Sequence, residues 1–521
     1  MTLHSVAHHA APRKRASIPS VGSALLLLIV AAGVVLRLHL LTRRDLWVDE
    51  ALSVVLARMP WRHFWQALWD FQANMALYYL LLRGWLHLGD SEGIVRSLSV
   101  LLGVAAIPAT YLLGKHLFGQ KAAIASAALS AVNIFQIRYS QEARGYSLAM
   151  LLVVLSTYFF VRALESPRRK RYWAGYILTS ALGIYAHLFV YLVIAAHWLS
   201  FDYTRLRLLP RKTLLSAAGG FILLTIPINA FILFRHQGQL SWVPHLTLQQ
   251  VLNFSKFFTG NAGIPLLGAY ATMCLFALFW PALPQASRSS KLDERWCVKL
   301  VATWLFFPIA ATLLVSFLQP VFYDRFMAIS APALALLAGQ GMAKLDQVSF
   351  RAPRLFPASL LVILGLSVWG LYRYDSSPAA RGDNWQQVIH CILAERQPGD
   401  AVFFYRPSGD WPFEYYAQRE FEEHGVTELP TVVFPLEVGN SQQEPDQQQT
   451  RHAIQGRKRV WLVLQHFGGL PERQSAMQAI QRAIQNSYNV IQEQVFYGIS
   501  GPIRLALYVR NPSTEPVPIA K

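Results

Sequence analysis

Two adjacent carboxylates, Asp49 and Glu50, follow the first long apolar stretch of the chain and stand beside Trp47. A carboxylate next to apolar surface loses hydration, which raises its pKa and suits it to accept a proton as a general base. The pair could equally be ordinary charges at the start of a loop, capping a juxtamembrane helix. The residues alone leave both interpretations open.

Arginines recur in two later segments that also flank apolar stretches. The first reads IRYSQEARGY and contains Arg138, Arg144 and Tyr146; the second reads QPVFYDRF and contains Arg325. A guanidinium binds phosphate oxygens through two parallel hydrogen bonds, so these residues suit a lipid-linked phosphate. Snorkelling to the membrane interface, or contact with lipid headgroups, is the competing interpretation.

A histidine and a tryptophan lie in two further loops. His187 occurs in IYAHLFVY and Trp242 in QLSWVP. A lone histidine in such a turn is more often structural than catalytic. If these loops share one membrane face with the acids and arginines, the arginines would hold a departing phosphate and a carboxylate would take the acceptor's proton. The chain has no nucleotide-binding motif, so a soluble nucleotide-sugar donor is not expected.

The elements that must position these residues are membrane helices. Of 521 residues, 54% are hydrophobic and only 15% are charged, against about 25% charged residues in a soluble globular chain. A membrane span needs about 17–25 mostly apolar residues. Apolar stretches of about this length, together with four shorter ones, predict eleven spans, at 21–41, 94–114, 122–135, 146–163, 173–185, 188–201, 214–234, 264–280, 298–318, 326–343 and 356–371.

Basic residues orient these spans. Residues 1–373 contain 34 basic and 13 acidic residues, whereas residues 374–521 contain 13 and 16. Cytoplasmic loops collect Lys and Arg, and the basic clusters, including the run at 168–171, fall on one side if 77–88 does not cross. We therefore expect an interfacial helix at 77–88, a cytoplasmic N-terminus and an extracytoplasmic C-terminal domain. This distribution also argues against a nucleic-acid partner.

The character of the chain changes at the predicted domain boundary between residues 373 and 374. Helical patterns at 385–396, 411–423 and 472–486 alternate with short β-type runs that read DAVFFY, TVVF and RVWLVLQ. Such alternation predicts a small α/β domain with a largely parallel sheet. Residues 439–449 are polar enough to predict a disordered loop. Three distant cysteines, Cys274, Cys297 and Cys391, exclude a disulfide framework and a structural zinc site.

Several motifs in a fixed order resemble a known superfamily. After Asp49 and Glu50 come LYYLLLRGWLHLGDSE, IVRSLSVLLGVAAIPATYLLGKHLFG, YSQEARGYSLAMLL, YAHLFVYLVIAAH and, later, QPVFYDRFMAISAPALALLAG. Over residues 21–339 the chain resembles the GT-C superfamily of polytopic glycosyltransferases. Within it, the similarity is to the bacterial branch of protein O-mannosyltransferases and aminoarabinose lipid A transferases.

This resemblance implies an inverting transfer from a sugar linked to polyprenyl phosphate (undecaprenyl phosphate in a bacterium) at the outer face of the cytoplasmic, or inner, membrane. Asp49 matches the position of the general base. Glu50 matches the second acid, which orients the acceptor or replaces the base. Arg144 and Arg325 match basic positions near the donor phosphate, and His187 matches a frequent histidine of the outer turn.

The chain departs from the family pattern before the Leu-Tyr-Tyr segment. Many relatives have a His-Pro-Pro-Leu-like sequence there, whereas residues 74–77 read Asn-Met-Ala-Leu. Asn74 can hydrogen-bond a sugar but is not a base. Together with Asn74, the candidate substrate-binding residues are Tyr78, Arg138, Arg144, Tyr146, His187, Trp242 and Arg325.

Oxygen ligands from Asp49, Glu50 and Asp70 could hold a divalent cation. The chain has no second dense carboxylate cluster in its predicted outer loops, which favours a reaction without a metal or other cofactor. The expected partners are membrane lipids, a polyprenyl-phosphate-sugar donor and a glycan, lipid or protein acceptor. Two other function classes stay open: a transporter or lipid flippase of envelope glycan assembly, and a sensor or assembly subunit whose outer domain binds a partner.

Overall fold

The computed structural model describes residues 21–201, 209–235, 243–281, 289–348, 354–377, 382–405, 407–424, 429–433, 447–465, 471–498 and 501–511. Within these ranges, the chain up to Asp375 is helical. Its helices are α1 (Val21–Leu38), α2 (Val48–Arg58), α3 (Trp61–Ala67), α4 (Ala76–Trp85), α5 (Glu92–Phe118), α6 (Gln120–Val132), α7 (Ile134–Ser140), α8 (Tyr146–Glu165), α9 (Lys170–Ala186), α10 (Val190–Leu199), α11 (Arg211–Arg235), α12 (Leu248–Thr259), α13 (Ile264–Phe279), α14 (Glu294–Val315), α15 (Ala331–Val348) and α16 (Leu355–Asp375).

Six described segments are long and apolar enough to cross a membrane: α5, α8, α14, α16, most of α11, and the segment from Asp324 to Leu345 that includes most of α15. The helices α12 and α13 together form a seventh candidate, bent by 73° at their junction. Helices α1 and α10 are apolar but shorter. The membrane character is confirmed, whereas the count of eleven spans and their orientation stay predictions.

Helix α15 is deeply buried, and small residues on it let neighbouring helices come close. A Cβ atom at Gly339 would lie 2.8 Å from the Ala122 carbonyl oxygen of α6, and a Cβ atom at Gly341 would collide with the Met273 carbonyl of α13. Glycine and alanine let helix backbones approach closely in a membrane. A 3₁₀ turn, Asp324–Ser330, leads directly into α15. The most deeply packed helix therefore fixes the position of that turn.

The C-terminal part forms the predicted small α/β domain, here called the sheet domain. Its elements are α17 (Trp385–Ala394), β1 (Ala401–Tyr405), α18 (Asp410–His424), β2 (Thr431–Val433), α19 (Gln447–Ala453), β3 (Arg459–Gln465), α20 (Pro471–Gln485), β4 (Tyr488–Gly498) and β5 (Gly501–Arg510). The three predicted helices match α17, α18 and α20. Of the predicted disordered loop, residues 447–449 begin α19 and the remainder lies outside the described residues.

The sheet is mixed, with strand order β2-β1-β3-β5-β4. Strands β1, β2 and β3 are parallel, while β5 pairs antiparallel with both β3 and β4. The prediction of a largely parallel sheet is therefore wrong for its C-terminal half. Strand β4 ends at Gly498 and β5 begins at Gly501, and so short a connection can only join antiparallel strands.

The sheet domain packs against α2, the helix that carries the predicted catalytic acids. Leu46, Val48 and Ala51 are buried in the same apolar cluster as Trp385 of α17 and Phe413 of α18. Helix α2 thus lies between the membrane helices and the sheet domain. The predicted boundary between residues 373 and 374 falls in the last turn of α16 and stays a prediction.

Candidate active site

A buried arginine of α5 organises the chain between α1 and α2. Arg96 donates to both carboxylate oxygens of Glu50, from Nε at 2.8 Å and from Nη2 at 2.7 Å. Its remaining hydrogen bonds reach the carbonyls of Leu41 (2.8 Å), Arg44 (2.7 Å) and Asp45 (2.9 Å). A guanidinium has five N–H donors, and all five are used here. Arg96 therefore fixes both the connection and the first turn of α2.

Glu50 is held from two sides. Besides Arg96, the backbone N–H of Ala143 donates to its Oε1 at 2.9 Å, and the residue is 1% exposed. Burial by itself raises the pKa of the Glu50 carboxyl, but the charge and hydrogen bonds of Arg96 and the Ala143 amide outweigh burial and hold that pKa below its ordinary value. A carboxylate so fully bound is suited to fixing structure. Its predicted catalytic role stays a prediction.

The structure shows a role for Arg96 that the sequence analysis missed. The signal was present, because Arg96 interrupts an otherwise apolar predicted span. An ionisable residue inside a membrane segment calls for a partner. The partner, Glu50, is 46 positions away, so only the fold could name it.

Asp49 points away from Glu50, since neighbours on an α-helix project about 100° apart. Its Oδ2 lies 3.1 Å from Nη1 of Arg325 and 3.9 Å from Nη2 of Arg144. The Asp49 side chain is 23% exposed, whereas those of Arg144 and Arg325 are 10% and 11% exposed. The structure thus brings together three residues that the sequence predicted for one site, from α2, the turn before α8 and the turn before α15.

A tyrosine of α4 completes the contacts of Arg144. Arg144 Nη1 donates to the Tyr79 hydroxyl at 2.7 Å, and Tyr79 donates to Gln72 at 3.1 Å. The predicted residue Tyr78 instead lies against α5, where its hydroxyl is 2.7 Å from Ser99 Oγ. The Leu-Tyr-Tyr segment was the right signal. Which of its two tyrosines reaches the arginine depends on the rotation of α4.

Arg325 lies among aromatic rings. Its guanidinium carbon lies 5.1 Å from the Trp47 ring centroid and 4.8 Å from that of Tyr323. Cation–π contacts of this kind orient a guanidinium while leaving its N–H edge available. The rings therefore aim Arg325 at Asp49.

His187 lies beside the two arginines, in the break between α9 and α10. Its ring centroid is 5.7 Å from that of Tyr146, and the residue is 1% exposed. Burial, together with the positive charges of Arg144 and Arg325, lowers the pKa of His187 to about 3. The imidazole is therefore neutral at physiological pH and contributes a polar nitrogen without adding charge.

Of the three remaining predicted residues, the structure describes Asn74 and Arg138. Asn74 accepts a hydrogen bond from the Leu188 backbone N–H at 2.9 Å, which fixes the turn that carries His187. Arg138 pairs with Glu142 at 2.7 Å, at the end of α7. Trp242 lies outside the described residues. The substrate-binding roles of all three stay predictions.

The residues around Asp49 do not suit a divalent cation. Two guanidinium groups face its carboxylate, and Glu50, the second of the three candidate ligands, is engaged by Arg96. Across the described ranges, no group of three or more His, Cys, Asp or Glu side chains is placed to hold a metal ion. The charges at the site instead favour an anionic ligand.

Solved structures show the same architecture. The chain aligns with ArnT from Cupriavidus metallidurans bound to undecaprenyl phosphate, at a TM-score of 0.55 and 12% identity, over 93% of this chain and 98% of that one. It also aligns with the oligosaccharyltransferase AglB from Archaeoglobus fulgidus, in complex with an inhibitory peptide and a dolichol-phosphate. That alignment has a TM-score of 0.52 and 11% identity, and it covers 95% of this chain and 75% of that one. This chain has the GT-C fold.

A family model matches part of the helical region. The model described as dolichyl-phosphate-mannose-protein mannosyltransferase matches residues 75–231, which include Arg144, Tyr79 and His187. The predicted resemblance to the branch of protein O-mannosyltransferases and ArnT is confirmed. Curated protein sequences gave no match.

Proposed function

We propose that this protein is an inverting glycosyltransferase that moves a sugar from a polyprenyl-phosphate donor to an acceptor hydroxyl. The observation that carries this proposal is the placement of Asp49 against Arg325 and Arg144. The site thereby combines a carboxylate with two cations that suit a phosphate. Support comes from ArnT and AglB, which share the fold and whose solved structures hold undecaprenyl phosphate and dolichol-phosphate.

In this reaction the acceptor oxygen forms a bond to the anomeric carbon of the donor sugar, on the face opposite the phosphate. The bond from that carbon to the phosphate oxygen breaks, and the electron pair leaves with the polyprenyl phosphate. Arg325 and Arg144 stabilise the developing negative charge, which is the largest single contribution expected in such a site. The acceptor's proton passes to Asp49.

Asp49 rather than Glu50 is the base in this proposal because of access. The Asp49 side chain is partly exposed and one oxygen faces the two arginines. Both Glu50 oxygens bind Arg96, and the side chain is 1% exposed. A base must lie within hydrogen-bond reach of the proton it removes, and no acceptor could reach Glu50 without displacing Arg96.

The other predicted residues have supporting roles in the proposal. Tyr146 and His187 line the donor side next to the arginines, while Asn74 holds the His187 turn. We also propose substrate-binding roles for Tyr78, Arg138 and Trp242. Two guanidinium groups supply the charge that a cation would otherwise supply, so we propose that the transfer requires no metal.

The proposed activity is a mannosyltransferase-like transfer of a hexose or a pentose, and the proposed location is the bacterial inner membrane. There the active site faces outward and the N-terminus lies in the cytoplasm. This orientation places both the site and the sheet domain on the side where envelope glycans are assembled. The proposed orientation follows from the basic residues in the predicted cytoplasmic loops.

The experiment that tests the function is transfer of radiolabelled sugar from a panel of undecaprenyl-phosphate sugars to a membrane extract. The wild type is compared with Asp49→Asn and with the matched control Asp90→Asn, whose carboxylate pairs with Arg58 at the far end of α2. We expect transfer by the wild type and the control, and none by Asp49→Asn. Equal transfer by Asp49→Asn would disprove its role as base. Movement of lipid or solute across liposomes without any transfer would favour a flippase or transporter instead.

A further inference from the structure

Helix α17 of the sheet domain is capped by a residue from the connection between α1 and α2. The backbone N–H of Gln386, in the first turn of α17, donates to Asp45 Oδ2 at 2.8 Å. Asn384, which precedes α17, makes no side-chain cap, and its amide instead donates to the Tyr497 carbonyl. The first N–H groups of a helix need acceptors from elsewhere. Here the acceptor comes from 341 positions earlier in the chain.

The next residue of that connection is held by α18. The backbone N–H of Leu46 donates to the Tyr416 hydroxyl at 2.8 Å. Leu46 is completely buried and Tyr416 is 3% exposed. A buried N–H group that loses its partner is costly, so this hydrogen bond fixes the backbone three residues before Asp49.

Residues 41–50 are thus held from two directions. Arg96 binds the carbonyls of Leu41, Arg44 and Asp45 from the membrane helices. The sheet domain holds the Asp45 side chain and the Leu46 amide, and it buries the apolar face of α2. Arg96 binds backbone carbonyls, whereas the sheet domain binds the Leu46 amide and the Asp45 side chain. The two sets of contacts therefore fix different groups of the same segment.

The contacts of Arg96, Asp45 and Tyr416 that hold residues 41–50, here called the clamp, also affect the active site. Arg325 lies on the turn before α15, deep in the helical part. Asp49 lies on α2, and one face of α2 packs against the sheet domain. The separation of the two groups therefore depends on how the sheet domain holds the start of α2. A displacement of about 1 Å in a reacting group costs on the order of 100-fold in rate.

We propose that the sheet domain positions the Asp49 carboxylate against Arg325, with Tyr416 and Asp45 as the positioning residues. This inference rests on the proposed function and gives the sheet domain a part in the transfer beyond covering α2. Neither positioning residue touches the donor in this scheme. Removing either should therefore slow the turnover without weakening donor binding.

The test compares two adjacent tyrosines of α18. Tyr416→Phe removes the hydroxyl that accepts from Leu46. The matched control Tyr415→Phe removes a hydroxyl that donates to the Asp90 carbonyl at 2.8 Å, in the same interface but near the start of α5. Both variants keep the ring and lose one hydrogen bond between the sheet domain and the helical part. Of the two hydroxyl groups, that of Tyr416 bonds to the connection just before Asp49, and that of Tyr415 does not.

Two measurements are made on the full chain in nanodiscs. The first is the apparent kcat and donor KM for transfer from the undecaprenyl-phosphate sugar that the wild type accepts. The second is hydrogen exchange of peptides covering residues 42–52. For Tyr416→Phe we expect faster exchange of the Leu46 amide, a kcat lower by about tenfold and a donor KM within about twofold of the wild type. Tyr415→Phe should keep the wild-type kcat. A domain that only stabilises the fold would give both variants the same kinetics, which would overturn the proposal.

Asp45→Ala provides a second variant, since it removes the cap of α17 and leaves Tyr416 in place. It should also lower kcat more than it changes donor KM. Wild-type kcat in both Tyr416→Phe and Asp45→Ala would overturn the proposal even if exchange quickened. If the wild type transfers no sugar, the proposed function fails. In that case the hydrogen-exchange data still test the clamp. Unchanged protection of the Leu46 amide in Tyr416→Phe would overturn the clamp, and lost protection would support it.

Discussion

The Asp49 carboxylate lies 3.1 Å from the Arg325 guanidinium, although 276 positions separate the two residues. Arg144 approaches the same oxygen to 3.9 Å. In the proposed reaction, Asp49 is the base and both arginines bind the donor phosphate. The carboxylate therefore occupies the cations that the phosphate needs. Donor binding would exchange one anion for the other and leave Asp49 available to the acceptor.

This competition predicts the effect of Asp49→Asn on binding. The variant should lose transfer and yet bind undecaprenyl phosphate about threefold more tightly, because the arginines no longer pair with a neighbouring carboxylate in a partly exposed site. Titration of detergent-solubilised protein with undecaprenyl phosphate would measure the change. Asp90→Asn should leave the affinity unaltered. Weaker binding by Asp49→Asn would show that Asp49 does not compete with the phosphate.

Arg325→Lys should raise the donor KM by about tenfold. Lysine keeps the positive charge but loses the planar pair of donors and the contacts of the guanidinium with the Trp47 and Tyr323 rings. Steady-state transfer kinetics with a varied donor would reveal the change. Arg138→Lys is the comparison: Arg138 is also proposed to bind substrate, but it pairs with Glu142 rather than with Asp49, so its variant should raise the donor KM less. An equal rise of KM in both would place Arg138 at the donor phosphate too.

The pair of Glu50 and Arg96 should matter for stability. Glu50→Gln leaves the Arg96 charge buried without its counterion, a change that costs about 3–5 kcal/mol in comparable buried pairs. Asp49→Asn breaks a partly exposed pair and should cost about 1 kcal/mol or less. Thermal unfolding of both variants in the same detergent would compare them. A melting temperature equal to that of the wild type in Glu50→Gln would contradict the structural role.

The start of α18 should make the sheet domain sensitive to pH. Burial, and the nearby charge of Glu414, raise the pKa of Asp410 to about 6. The folded domain therefore binds a proton that the unfolded chain releases, and stability present in acid is lost as the pH rises through 6. Asp410→Asn should gain about 1–2 kcal/mol over the wild type at neutral pH, allowing for partial exposure.

That gain of Asp410→Asn should shrink on acidification. Unfolding followed by tryptophan fluorescence between about pH 4 and pH 7.5 would show it, with the advantage growing up to about pH 6.5 and then levelling. A difference between variant and wild type that does not change with pH would mean that Asp410 titrates normally.

Packing of α15 can be tested with two glycines. A Cβ at Gly341 collides with the Met273 carbonyl, whereas a Cβ at Gly268, on α13, meets nothing within 4 Å. Gly341→Ala should therefore cost about 1–3 kcal/mol through overpacking. Gly268→Ala should be neutral or stabilising, since alanine favours a helix by about 1 kcal/mol over glycine. Unfolding temperatures in one detergent would compare them, and equal values would contradict the close approach of α13 and α15.

Several parts of the fold could be predicted because they depend on local composition. Apolar runs mark the long helices α5, α8 and α14, and the alternation of patterns after residue 374 marks the sheet domain. The sequence could not predict which strands pair or in what register. The hairpin of β4 and β5 joins the sheet beside β3, and that choice is made by contacts between distant segments.

The candidate site was predicted as a set of residues and not as an arrangement. Asp49, Arg144 and Arg325 were each named from a motif, and the structure brings them together. Arg96 and Tyr79 were missed. Their neighbours Glu50 and Arg144 lie 46 and 65 positions away, so no local pattern connects them.

The sequence by itself determined that this is a membrane protein with a carboxylate pair after its first apolar stretch and a small α/β domain at its C-terminal end. Only the tertiary structure decided how Asp49 and Glu50 differ. They are adjacent in the first turn of α2, and adjacent helical residues point about 100° apart. Glu50 consequently meets the buried Arg96, while Asp49 meets Arg325. The two acids have the same chemistry, and the packing of α2 between the membrane helices and the sheet domain gives them different surroundings.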